Sequence, residues 1–195
     1  MKAVWKTASF VLLLAGLTLI VAGVRERLFS IFGQSELAGA WQDHPSRRTD
    51  ADRPRVHVGE AIALLRIPRL QAEMYVVEGT GIHELRRGPG HLPTSAFPGT
   101  NGNCVIAAHR DTHFRILKDI REGDEIILET RRGYFSYVVR ATNIISPDET
   151  QVLRPTETAK LSLITCYPFY YVGPAPKRFV VTAELIQTML PRRVS

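Results

Sequence analysis

Apolar and polar positions along the chain alternate in two different ways. From Ala8 to Val24 the apolar run carries no charge, with Lys2 and Lys6 before it and Arg25, Glu26 and Arg27 after it. As a helix, at about 1.5 Å per residue, this run covers roughly 25 Å, slightly less than a bilayer core of about 30 Å. Val4 and Trp5 lengthen the apolar stretch, and snorkelling by Lys6 and Arg25 supplies the remainder. The pattern predicts a transmembrane helix in residues 1–27. A cleaved secretory signal shares the basic-then-apolar layout, but Val21-Ala22-Gly23 is a weak cleavage site with charged residues directly after it. The retained anchor is therefore preferred. Basic residues flank both ends, so charge does not set the orientation. The expected location is the cell membrane, single-pass, with the rest of the chain on the extracytoplasmic side.

Residues 28–55 lose hydrophobic periodicity, carry Pro45 and Pro54, and read as a linker or stalk with some helix near Ser35 to Trp41. From Val56 onward short apolar runs alternate with Gly, Pro and Asp: Ala63 to Ile67, Met74 to Val77, Cys104 to Ala108, Glu125 to Glu129, Tyr134 to Ile145, Leu161 to Thr165, and Phe179 to Leu185. Their length and their Val, Ile and Tyr content predict strands. Thr80 to Arg87 predicts one short helix, stopped by Gly88-Pro89-Gly90. Many strands with few helices imply a mainly β domain over residues 56–190, a closed barrel or sandwich, with 191–195 as a tail.

Composition narrows the function. The 195-residue chain has a net charge of +6, but its basic residues are scattered rather than massed. That suits a solvated surface beside an anionic membrane better than a nucleic-acid partner. No Cys, His, Asp and Glu cluster has metal-ligand spacing, so neither metal nor cofactor is expected. The two cysteines, Cys104 and Cys166, are too few for a disulfide framework. A bridge between them is not expected either. Cys104 opens the strand that His109 follows, roughly 16 Å along it from the strand end, whereas bridged Cα atoms lie within about 7 Å.

Three residues carry candidate chemistry. Cys166 ends one predicted strand and Arg178 begins the next, so antiparallel pairing would put both on one rim, under a loop rich in Pro, Gly and Tyr. His109 also follows an apolar run and sits at a strand end. A thiol, an imidazole and a guanidinium on one rim can perform acyl transfer. The thiolate attacks, the imidazole protonates the leaving amine, and the guanidinium stabilises the oxyanion. Taken singly, each residue has a plainer reading: a buried inert thiol, a hydrogen-bonded strand-end histidine, a surface charge on a hairpin.

Longer motifs favour the chemical reading. Ser162-Leu163-Ile164-Thr165-Cys166 resembles the sortase signature T/S-L-x-T-C. Thr165 to Gly173 followed by Ala175-Pro176-Lys177-Arg178-Phe179, and the block Ala107 to Phe114, resemble the class D branch. Arg66-Ile67-Pro68, Val77-Glu78-Gly79-Thr80 and Arg87-Gly88-Pro89-Gly90-His91 follow that branch in order. The likeness runs from about Val58 to Leu185, and the Ala- and Arg-rich composition suits the class D-like sortases of Gram-negative bacteria. Cys104 departs from the pattern, standing where a small aliphatic residue is expected.

The resemblance implies a closed barrel of about eight strands with short helices. It implies a cysteine transpeptidase that cleaves an LPxTG-like sorting signal of a secreted protein between Thr and Gly. The product is a thioester on Cys166, which is passed to an amine acceptor such as a cell-wall precursor. His109 would be general acid and then base. Arg178 would hold the substrate carbonyl or the oxyanion, with Thr165 assisting through its hydroxyl or backbone. Asp111 and His113 are candidates to support the catalytic residues, while His44, His57, His83 and His91 read as surface residues. Two other classes stay open to test: a membrane-tethered thiol redox protein using Cys104 and Cys166, and a non-catalytic basic barrel that binds an anionic polymer.

Overall fold

The computed structural model describes residues 2–43, 56–171 and 173–190. Eight strands close into a barrel: β1 (Ala61–Ile67), β2 (Ala72–Glu78), β3 (Gly90–His91), β4 (Gly102–Ala107), β5 (Glu125–Thr130), β6 (Gly133–Ile145), β7 (Ala159–Tyr167) and β8 (Lys177–Met189). Around the barrel they run β1-β2-β3-β4-β7-β8-β6-β5, and β5 returns to β1. Most neighbours are antiparallel; β2 with β3 and β4 with β7 are parallel. The expected mainly β, closed eight-stranded barrel is thus what the chain forms.

Alternation builds the interior. Leu65 and Ile67 of β1, Cys104 and Ile106 of β4, Leu161 and Leu163 of β7, and Val181 and Ala183 of β8 point inward and pack with Tyr137 and Phe135. Each fully buried aliphatic side chain contributes roughly 1.5–3 kcal/mol. Strand β1 is buried on both faces because α1 (Lys2–Asp43) lies outside it. Leu37 of that helix packs on Ala61 and Val77. An ion pair between Arg69 and Asp124 ties the β1–β2 turn to the turn before β5, and the guanidinium holds the Asp124 carboxyl below the usual carboxylate range.

Several expectations need adjustment. Strand β3 was not expected; two residues are too short for any period to show. The predicted Thr80 to Arg87 helix is α2 (Ile82–Arg87). His91 is fully buried rather than on the surface. Its Nδ1 lies 2.7 Å from a Glu78 carboxylate oxygen and its Nε2 3.0 Å from the Ala96 carbonyl oxygen. Tertiary contacts of this kind leave no mark in a local pattern. The stretch read as a stalk is helical as far as Asp43; residues 44–55, with His44, and the tail 191–195 lie outside the described residues. Among the described residues no helix is long and apolar enough to cross a membrane. Exposed apolar side chains follow one another from Phe10 to Val24, roughly 22 Å of helix, so the expected membrane-spanning helix is not met within them.

Candidate active site

Strands β7 and β8 set the first two groups. In their antiparallel register Cys166 stands directly opposite Arg178, with Thr165 opposite Phe179 and Tyr167 opposite Lys177. Strand β4 brings the third. It runs parallel to β7 with Ala107 beside Ile164, and the Ala108 N–H donates to the Ile164 carbonyl at 3.1 Å. Carrying that register two residues further places His109 level with Cys166. Alternation then fixes the faces. Leu163 and Val181 belong to the core, so Cys166 and Arg178, an odd number of positions from them, face outward at the rim. Cys166, His109 and Arg178 are all half-buried, reachable by a substrate yet partly shielded from water.

Thr165 lies just inside this rim. It is 2% exposed, and its hydroxyl donates to the Ala108 carbonyl at 2.7 Å. The hydroxyl is therefore committed to the chain immediately before His109. Arg178 donates through Nη1 to the carbonyls of Ala175 (3.3 Å) and Lys177 (3.0 Å). Among the described residues no partner takes its Nε or Nη2, which leaves them for a ligand carbonyl or oxyanion.

Of the two supporting candidates, Asp111 is exposed. His113 is half-buried, with Nε2 3.1 Å from the Ser30 hydroxyl of α1. Burial holds the His113 imidazolium below the usual histidine range, and the nearby charge of His109 lowers it further.

Cys104 is elsewhere. It is 1% exposed inside the barrel, level with Leu161 on β7, five strand positions from Cys166. Burial pushes its thiol well above the ordinary range, and the Glu78 carboxylate adds to the effect. Both cysteines are free. A thiol kept protonated is neither nucleophile nor ready disulfide partner, so of the two cysteines Cys166 is the candidate nucleophile.

Sequence reasoning missed the groups that hold the β7–β8 loop. Arg110 donates through Nη2 to the carbonyls of Tyr171 (2.9 Å) and Gly173 (3.0 Å), with its guanidinium 5.6 Å from the Tyr171 ring centre. Lys118 donates to the Tyr170 hydroxyl at 3.0 Å, and Arg115 lies over the same ring. The only sequence signal was the coincidence of a basic segment after His109 with an aromatic loop after Cys166. Among the described residues no group of three or more metal-ligating side chains converges.

Residues 65–186 match the family model described as the Sortase domain. The chain is 41% identical over 129 residues to Sortase D of Bacillus subtilis, a match covering 66% of this chain and 65% of that relative, a little under two thirds of its length. The Clostridium perfringens Sortase D5 transpeptidase superposes with a TM-score of 0.67 at 25% identity, over 82% of this chain and 99% of that one. Sortase E1 from Streptomyces coelicolor, solved with a tripeptide in the active site, gives 0.61 at 27% identity, over 68% and 91%.

Proposed function

The chain belongs to the sortase family, and from that premise we propose that it is a cysteine transpeptidase that cleaves an LPxTG-like sorting signal and transfers the acyl part to an amine. The observation that carries the reading is the facing pair Cys166 and Arg178, with His109 two residues past the end of the neighbouring strand β4.

The Cys166 thiolate attacks the Thr carbonyl of the signal. Arg178 donates Nε and Nη2 hydrogens to the oxyanion, an interaction of about 3 kcal/mol per donor. The tetrahedral centre collapses, the C–N bond to Gly breaks, and protonated His109 gives its proton to the departing amine. A thioester remains on Cys166. An amine acceptor then attacks that thioester, His109 takes the acceptor's proton, and the Cys166 thiolate leaves. Thr165 serves by holding the Ala108 carbonyl, and so the approach of the chain to His109. The tripeptide in the active site of the related sortase E1 structure supports a peptide at this rim.

The membrane assignment belongs to the same proposal. The uncharged run Ala8 to Val24, its basic flanks, and a helix exposed and apolar from Phe10 to Val24 suit a single-pass anchor in the cell membrane with the barrel on the extracytoplasmic side.

The test uses the full chain and a fluorogenic LPxTG peptide. Cys166→Ala abolishes cleavage, and intact mass shows an acyl adduct on the wild type but not on this variant. Cys104→Ala keeps most of the activity. Cleavage by Cys166→Ala at the wild-type rate overturns the assignment.

A further inference from the structure

The second half of α1 is bonded to the barrel, and the order of its contacts gives the helix a direction. Ser30 meets His113 at the catalytic rim. One turn on, the Gln34 side chain pairs with β2 as another strand would. Its Nε2 donates to the carbonyls of Tyr75 (3.1 Å) and Arg87 (2.9 Å), and its Oε1 accepts the Tyr75 N–H at 2.7 Å. Next comes Leu37, buried over Ala61 and Val77. Last is Trp41, beside Tyr75, with the guanidinium of Arg131 5.2 Å from its ring centre. Arg131 sits in the β5–β6 turn, at the end of the barrel away from the rim. The fit is close: a Cβ on Gly33 would come within 2.7 Å of the Arg87 Cα, and Glu36 pairs with Arg87 at 3.1 Å.

Helix α1 therefore passes from the rim to the opposite end, and its apolar N-terminal half projects beyond the rim. Val24, the last residue of the uncharged run, precedes Ser30 by about 9 Å of helix. The polar head-group layer adds roughly 5–7 Å to each side of a bilayer core. Between the two residues the helix exposes Leu28 and Phe29, and just past Ser30 it exposes Ile31 and Phe32. The rim itself presents Tyr170 (68% exposed) and Tyr171 (47% exposed) among Arg115, Lys118 and Arg110. Aromatic rings with basic neighbours are the side chains that settle at head-group level on an anionic membrane.

We infer that α1 holds the barrel with its catalytic rim turned toward the bilayer at head-group level, so that Tyr170, Tyr171 and their basic neighbours rest on an anionic membrane surface. This rests on the anchoring role proposed above. A peptide tethered to the membrane through a long flexible spacer would hold its scissile bond at the rim at a lower effective concentration than one with a short spacer.

The full chain, reconstituted in phosphatidylcholine–phosphatidylglycerol vesicles, tests this. A bimane probe is placed at Tyr170→Cys or at Arg132→Cys, each in a Cys166→Ala background in which buried Cys104 stays unlabelled. Head-group spin-labelled lipid quenches most of the emission at position 170 and little at position 132. Gln34→Ala, which loosens the dock, lessens the difference. Equal quenching at the two positions, in protein that floats with the vesicles, overturns the inference while leaving the anchor intact. Protein that does not float overturns both. In a parallel assay with the wild type, lipid-tethered peptides with a short spacer are cleaved about tenfold or more faster than those with a long one, as effective concentration requires. Equal rates overturn the inference. Failure to cleave even the soluble peptide, with the quenching pattern in place, counts instead against the transpeptidase assignment.

Discussion

Replacing Thr165 by Val separates the positioning of His109 from the chemistry of Cys166. The substitution keeps the branched shape and removes only the hydroxyl, which donates to the Ala108 carbonyl at 2.7 Å. Both residues are buried, at 2% and 6% exposure, so water cannot easily replace the lost donor. An unsatisfied buried acceptor costs about 1–3 kcal/mol. In a barrel of this size that lowers the melting temperature by roughly 3–10 °C. Because Ala108 directly precedes His109, kcat/KM should also fall. A displacement worth one hydrogen bond, about 1.4 kcal/mol in the transition state, is tenfold in rate. Thr165→Ser retains the donor and should restore most of both properties. The assays are a thermal melt and peptide cleavage on the full chain. A Val variant with wild-type stability and wild-type kinetics would refute the reasoning, and so would a Ser variant as impaired as Val.

Three further outcomes are expected. Arg178→Lys keeps the charge but loses the planar fork; kcat/KM should fall by about 10²-fold, in line with roughly 3 kcal/mol per lost oxyanion donor, and near-normal kinetics would shift the role to Lys177. Intact mass without reductant should show two free thiols, since Cys104 lies level with Leu161 rather than Cys166; a species two hydrogens lighter would contradict the strand register. His113 is held below its unfolded value, near 6.5, so below about pH 6.5 the unfolded chain takes up the proton first and stability drops as pH falls, by at most about 1.4 kcal/mol per pH unit from this group. His113→Gln should flatten that slope in melts across this range, and an unchanged slope would remove His113 as its source.

The facing of Cys166 and Arg178 was legible because its logic is local. Cys166 ends one strand, Arg178 begins the next, and a single antiparallel turn between adjacent strands brings them face to face whatever the rest of the fold does. His109 was legible only as a strand end, since the parallel β4–β7 pairing that sets it level with Cys166 joins segments more than fifty residues apart. Where a residue's role depends on distant backbone, the sequence misled. His91 looks like any polar residue near a glycine turn, yet it is buried against Glu78 and Ala96. Residues 28–55 read as a stalk, with some helix near Ser35 to Trp41, because they carry Pro45 and Pro54 and lose hydrophobic periodicity; Gly33 and Gln34 gave no sign of a contact. Those two residues are what dock the helix, one by lacking a side chain where Arg87 approaches, the other by lending its amide to the free edge of β2. A helix held by one glycine gap and one side-chain amide has no repeating apolar stripe to announce it. Gln34 would read as solvent-exposed on any amphipathic pattern, although it supplies three of the hydrogen bonds that join α1 to the barrel domain. The direction in which α1 runs along the barrel therefore depends on residues whose type says nothing of their task, and only the register of Ser30, Gln34, Leu37 and Trp41 gives it a sign.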